Sequence, residues 1–180
     1  MELYTLSILV ENSAGVLSQV TRLFSRKSYN IHSLAVGVTD DPEVSRITII
    51  TMGDELMMKQ LSSQLNKLLP VLSVAILSDD NSIERELILV KVKAEDRGTR
   101  DEIIQLVSIF RASILDVGCK ALTVCIVGNK EKSNALLKLL AEFDILEVAR
   151  TGMIALERGV NTIYDRNKDE EEYNYGKNVL

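Results

Sequence analysis

The strongest constraint on the fold is an internal repeat, because one order of strand-like and helix-like segments occurs twice within 180 residues. Residues 3–10 alternate apolar and polar side chains as a half-buried strand does, and residues 16–24 then show the 3–4 spacing of an amphipathic helix. The same periodicities, followed along residues 3–77, predict the order β-α-β-β-α-β, and residues 86–156 predict that order a second time. Two such split β-α-β units indicate an α+β protein made of two tandem ferredoxin-like domains, each with an antiparallel sheet and both helices on one face.

Turn and cap residues place the boundaries of these elements. Gly53-Asp54 ends the third strand-like segment of the first copy and Gly128-Asn129 ends that of the second, with Asp54 a candidate helix N-cap. Residues 78–82 are polar and lack periodicity, which is typical of a linker. We therefore predict a first domain at residues 1–78, a linker at 79–83, a second domain at 84–160 and an acidic polar tail at 161–180. The tail is expected to be flexible and solvated, with a short appended helix as the alternative.

The helices of a ferredoxin-like domain cover only one face of its sheet. On the first and fourth strands of the first copy, several apolar residues fall out of phase with the core set: Leu3, Leu9, Val71, Ala75 and Leu77. They are expected to lie on the other face, which nothing in the domain covers. Because an apolar open face or edge usually binds a partner, we predict a homodimer or a larger assembly.

Composition restricts the chemistry of the chain. The sequence has one histidine, His32, and two cysteines, Cys119 and Cys125, which do not form a cluster with the spacing of zinc ligands. A catalytic triad would have to use His32, and the glycine-rich phosphate and dinucleotide motifs and G-x-S-x-G do not occur. We therefore assign no catalytic residue and no metal site, and expect a binding protein.

Charge and hydropathy exclude further partners. The formal net charge of −5 and a pI near 5.0 argue against nucleic acid, which needs a basic face, and against an anionic membrane surface. No apolar run approaches the ~20 residues of a bilayer span. The first residues lack the pattern of a signal peptide, so a cytoplasmic location is expected.

One loop combines the features of a small-ligand site. Residues 11–15 join the first strand to the first helix, whose N-terminal N–H groups and partial positive charge suit a carboxylate. Ala14 and Gly15 leave room for a ligand, and the amides of Asn12 and Asn30 offer donors and acceptors. These groups suit the amino and carboxyl groups of a free amino acid, with its aliphatic side chain held by the apolar residues Val16, Leu17, Ile31 and Leu34. The alternative is structural: Asn12 or Ser13 caps the helix and Gly15 shapes the turn.

The same residues carry a resemblance to a known family. Residues 8–18, Leu23-Phe24-Ser25-Arg26 and residues 29–34 resemble an ACT domain, and more narrowly the small regulatory subunit of acetolactate synthase. The hairpin at residues 39–49 is similar to that family too. So are segments of the second half, in the same order: Glu84-Arg85-Glu86-Leu87, Phe110-Arg111-Ala112, residues 114–117, 145–152 and 155–159.

The resemblance implies a fold and a function. Small subunits of this family pair through their ACT domains, bind a branched-chain amino acid, typically valine, at the dimer interface, and activate a catalytic subunit on which they confer feedback inhibition. No cofactor is implied in this chain; thiamine diphosphate, Mg²⁺ and FAD belong to the catalytic subunit, a transferase that condenses pyruvate with pyruvate or 2-oxobutanoate on the way to valine, leucine and isoleucine. Matched by position, the effector contacts fall on Asn12, Gly15 and Asn30. With their neighbours, the expected effector-binding residues are Asn12, Ala14, Gly15, Val16, Asn30 and Ile31.

Two residues depart from the family pattern. Ser28 stands where glycine is common, so a positive φ there would strain the backbone, and His32 stands where an acidic residue is common. The competing functions are a free-standing tandem ACT-type amino-acid sensor with another partner, and an acylphosphatase-like hydrolase. The hydrolase needs an arginine in the first strand–helix loop, and residues 11–16 contain none.

Overall fold

The computed structural model describes residues 2–164, which form two compact units. The first contains residues 2–83 and the returning residues 153–164, and the second is Glu84–Gly152. In chain order the elements are β1 (Glu2–Glu11), α1 (Val16–Arg26), β2 (Ile31–Val38), β3 (Val44–Gly53), α2 (Glu55–Leu65), β4 (Val71–Leu77), β5 (Ser82–Lys93), α3 (Arg97–Ile109), β6 (Ser113–Val117), β7 (Ala121–Gly128), α4 (Lys130–Leu140), β8 (Ile145–Arg150) and β9 (Ile154–Glu157). No helix of this part of the chain is both long and apolar enough to cross a membrane.

The strand orders are those of the predicted fold. The first sheet runs β2-β3-β1-β4 and the second β6-β7-β5-β8, and the neighbouring strands are antiparallel. In each unit one face of the sheet packs on two helices. Buried apolar residues of the first unit's core come from β1, α1 and α2: Leu6, Ile8, Val10, Val20, Phe24, Met58 and Leu61. Their counterparts in the second unit are Ile88, Val90, Val92, Ile103, Val107, Leu136 and Leu140. The α+β class and the two tandem ferredoxin-like domains are confirmed.

Three of the four α-helices in the described residues begin with a side-chain cap. Asp54 accepts a hydrogen bond from the Met57 amide at 2.8 Å, as predicted from the sequence. Asp96 caps α3 and Asn129 caps α4 in the same way. Each cap satisfies an N–H group that has no partner within its helix.

Helices α1 and α3 end in the same motif, which places residues other than glycine at positive φ. Ser28 has φ 55°, and the Tyr29 amide after it donates to the Phe24 carbonyl at 3.0 Å. Arg111 has φ 49°, and the Ala112 amide donates to Val107 in the same way. These are Schellman motifs, in which glycine is preferred at the left-handed position. The strain expected at Ser28 is therefore present.

Replacing this serine by glycine is expected to stabilise the protein. The left-handed conformation costs an L-residue about 1–2 kcal/mol, and glycine avoids this cost. Glycine also loses more conformational entropy on folding, which offsets part of the gain. Ser28→Gly should therefore raise the free energy of unfolding by about 0.5–1 kcal/mol. Ser25→Gly, inside α1, is the matched control and should lower it by about 0.5 kcal/mol. Urea unfolding of both variants checks the prediction, and a loss of stability in Ser28→Gly would contradict it.

The predicted last strand, residues 145–156, is wrong as a single element. The chain forms β8 and then β9, with Gly152 between them at φ 81°. From Met153 onward the described residues belong to the first unit. The second unit therefore ends at Gly152, whereas the predicted second domain ends at residue 160. The Met153 amide donates to the Ser33 hydroxyl on β2 at 2.9 Å.

This returning segment covers the face of the first sheet that was expected to be open. Leu9, Ala75 and Leu77 are 0%, 0% and 6% exposed because Ala155 and Ile163 pack against them. The open-face prediction is therefore wrong for these three residues. Val71 lies against the helix-side core instead, since the β1–β4 register shifts between Leu9 and Val10, and Leu3 remains exposed.

The start of the predicted tail also packs on the first unit. Ile163 is 4% exposed, and its carbonyl accepts a hydrogen bond from the Ser73 hydroxyl of β4 at 2.9 Å. Ile163 is therefore packed on the sheet, whereas its neighbours Asn161, Thr162 and Tyr164 are exposed. The acidic run and the alternative of an appended helix lie at residues 165–180, outside the described residues.

Candidate functional site

The loop between β1 and α1 leaves the start of its helix open. Gly15 lies just before α1 at φ 88°, so it does shape the turn as the structural alternative required. No side chain caps α1, and no acidic residue lies in its first turn. The alternative in which Asn12 or Ser13 caps the helix is therefore wrong. Among the α-helices of the described residues, α1 alone lacks a side-chain cap, and N–H groups of its first turn can donate hydrogen bonds to a carboxylate.

The Asn12 side chain is held by the hairpin between β2 and β3. Its Nδ2 donates to the Pro42 carbonyl at 2.8 Å, and its Oδ1 accepts from the Ser45 hydroxyl at 3.1 Å. The Asn12 backbone amide donates to the Glu43 carbonyl at 2.7 Å. An amide has two donor hydrogens and two acceptor sites, so each end of this side chain keeps one for a ligand. The sequence does not predict this role of Ser45, because no local pattern pairs residues 33 positions apart.

Space at the loop fits a small ligand. Ala14 and Gly15 are exposed, and a Cβ atom built on Gly15 would meet nothing within 4 Å. Val16 is different, because its side chain is 4% exposed and belongs to the core of its own unit. The Val16 amide donates to the Ser13 carbonyl at 3.5 Å, whereas the side chain of the neighbouring Leu17 is 40% exposed.

Asn30 and Ile31 lie at the start of β2. The Asn30 carbonyl accepts a hydrogen bond from the Thr51 hydroxyl at 2.8 Å, while the residue itself is exposed. Ile31 is partly buried against the core, as is Leu34 further along the strand. His32 is exposed, at a register shift in the β2–β3 pairing.

The register separates the two asparagines. Ile31 pairs with Thr51, whereas Val38, at the other end of β2, pairs with Ser45, whose hydroxyl contacts Asn12. The strand between Ile31 and Val38 rises by about 3.3 Å per residue, so the two ends are roughly 23 Å apart. One chain therefore does not bring Asn30 next to Asn12 and Gly15. Strand β2 lies at one edge of its sheet.

Comparison with known proteins agrees with this architecture. Residues 6–73 match the family model of the "AHAS small subunit-like ACT domain", and residues 85–159 match that of the "small subunit of acetolactate synthase". The acetolactate synthase small subunit of Mycobacterium bovis is 46% identical over 87% of this chain and 92% of its own length. The small subunit of Haemophilus influenzae is 44% identical over 88% of this chain and 97% of its own.

A solved structure has the same fold. The crystal structure of the acetolactate synthase small subunit from Thermotoga maritima superimposes with a TM-score of 0.82 at 36% identity. It covers 89% of this chain and 100% of the Thermotoga chain. Sequence and fold therefore agree over both domains, and the chain belongs to the acetolactate synthase small-subunit family.

Proposed function

We propose that this chain is the regulatory subunit of a cytoplasmic acetolactate synthase. It activates a separate catalytic subunit, which carries thiamine diphosphate, Mg²⁺ and FAD, and it makes that subunit sensitive to feedback inhibition by branched-chain amino acids, valine first. Family membership over both domains supports the regulatory role. The observation that carries the effector site is the position of its polar groups at the two ends of one edge strand.

In a two-fold dimer, the start of β2 in one protomer lies beside the end of β2 in its partner. This arrangement arises when the two β2 strands pair antiparallel about the two-fold axis. Asn30 of one protomer then lies next to Asn12 and Gly15 of its partner, and the dimer has two equivalent sites. The edge strand also carries Val36 and Val38, which are 49% and 59% exposed in the single chain, so pairing would bury apolar surface.

The chemistry of this composite site suits a zwitterion. The uncapped first turn of α1 takes the carboxylate, and the free acceptor of the Asn12 amide takes the ammonium group. Asn30 of the other protomer closes the site with a further amide. The exposed Leu17 and the partly buried Ile31 provide apolar contacts for an aliphatic side chain.

Feedback then follows from linkage. The amino acid touches both protomers, so it favours the dimer geometry in which the two halves of the site fit together. If the catalytic subunit is activated by a different geometry, each ligand weakens the state preferred by the other, by a coupling free energy of typically ~1–3 kcal/mol.

Reconstitution tests this function. Adding the purified chain to its cognate catalytic subunit is expected to raise the specific activity and to make that activity sensitive to valine. The heat-unfolded chain is the control. If neither specific activity nor valine sensitivity changes, the regulatory-subunit proposal fails and the chain is better explained as a free-standing amino-acid sensor.

A further inference from the structure

Apart from the proposed effector site, the first unit contains a pocket on the sheet face opposite the helices. Its volume is about 250 Å³. Its floor includes Ser7 of β1, Arg46 of β3 and Leu77 of β4, and its other walls include Leu156, Ile163 and Tyr164 of the returning segment. Its residues are not those of the proposed effector site, so the inference does not depend on the function proposed above.

The walls of this pocket are held in place. The Ser73 hydroxyl donates to the Ile163 carbonyl at 2.9 Å, and the Arg158 amide donates to the Asn81 carbonyl at 2.9 Å. Leu77 and Ile163 are also buried in one apolar cluster. The pocket is therefore formed before any ligand arrives, which lowers the entropy cost of binding.

Arg46 is the unusual residue of the pocket. It is partly buried, and its Nη1 donates to the Ser7 hydroxyl at 3.3 Å. Within the described part of the chain, none of the ion pairs involves it. Burial lowers the pKa of this guanidinium, and the weaker effect of Tyr164 opposes that shift. At every pH below this pKa the protein holds a partly desolvated cation, at a cost that a bound anion would reduce.

The lining favours an organic anion over an inorganic one. A guanidinium binds a carboxylate through paired hydrogen bonds, and the Ser7 hydroxyl lies within reach of the same group. Leu77, Leu156 and Ile163 supply apolar walls beside it. Glu157 also lines the pocket, so the carboxylate has to lie at the Arg46 end.

We propose that this pocket binds a short-chain aliphatic carboxylate, with the carboxylate on Arg46 and the alkyl chain against Leu77, Leu156 and Ile163. The ligand differs from the effector in chemistry, because the pocket recognises an anion and an alkyl chain and makes no use of an ammonium group.

Titration of the full chain with isovalerate tests the proposal, because isovalerate has the carboxylate and the branched alkyl chain but no amino group. Calorimetry should give saturable binding that Arg46→Gln weakens by at least about tenfold, the expected loss for a charge-assisted hydrogen bond. Arg97→Gln removes the same charge from a side chain that is 95% exposed, and should bind within about twofold of the wild type.

A second variant keeps the test informative if Arg46→Gln does not fold. Leu156 is 57% exposed, so Leu156→Trp can be accommodated in the fold while it fills the pocket. It should weaken isovalerate binding by at least about tenfold while leaving the guanidinium in place. The absence of saturable binding, unchanged binding in Arg46→Gln, or inorganic phosphate binding as tightly as isovalerate would each overturn the proposal. Valine titration of the same samples tests the effector site separately.

Discussion

Asn30→Ala is expected to leave activation of the catalytic subunit intact and to remove most of its inhibition by valine. The side chain is exposed, and the link to the fold is the backbone carbonyl that Thr51 holds at 2.8 Å. The substitution therefore removes contacts to the ligand and keeps the core. Loss of one hydrogen bond to a charged group is worth about 1.5–3 kcal/mol, which raises the valine concentration for half-inhibition by roughly 10- to 100-fold.

The matched control for this prediction is Asn66→Ala, which changes another exposed asparagine of the same unit at the end of α2. Valine inhibition curves of the reconstituted enzyme should be the same for Asn66→Ala and the wild type. If Asn30→Ala gives that same curve, Asn30 is not an effector contact.

Ile163→Ala is expected to destabilise the first unit by about 2–4 kcal/mol, the usual cost of truncating a buried isoleucine. The sequence places this residue in a polar tail, but its side chain is 4% exposed and packs with Leu9, Ala75 and Leu77. Val160→Ala, three residues earlier, is the matched control: Val160 is 91% exposed, so its truncation should change stability by less than about 0.5 kcal/mol.

Tyrosine fluorescence during urea unfolding measures the stability of the first unit, to which Ile163 belongs. All five tyrosines of the sequence lie outside Glu84–Gly152, and the chain has no tryptophan. The tyrosines among the described residues, Tyr4, Tyr29 and Tyr164, all belong to the first unit, so their signal follows that unit even if the two units unfold in separate transitions. Equal midpoints for Ile163→Ala and Val160→Ala would mean that the returning segment does not pack on the sheet.

Periodicity and local chemistry predict much of this fold. The strand pattern of residues 3–10 predicts β1, and the helix spacing of residues 16–24 predicts α1. The cap at Asp54 is also predictable, because a capping side chain acts within three residues. The repeat predicts two sheets with both helices of each copy on one face, since each helix has to cover the apolar face of its own sheet.

The sequence does not predict the returning segment, because alternation of apolar and polar residues does not specify which sheet a strand joins. Residues 145–156 read as one strand, since nothing in their pattern separates β8 from β9 except Gly152. Once β9 is placed on the first unit, the burial of Leu9 and Ala75 follows. The same limit applies to the loop: its residue types indicate a ligand site, but only the β2–β3 register places Asn30 far from Asn12.

Mixed dimers test the composite effector site most directly. Asn12→Ala and Asn30→Ala chains, each alone, should bind little valine, because every site of either homodimer lacks one asparagine. In a mixed dimer one site lacks both asparagines and the other is intact. Random pairing of equal amounts makes half of the dimers mixed, so co-expression should restore about a quarter of the wild-type valine sites in a calorimetric titration. A site contained within one chain predicts no restoration, and that result would contradict the account.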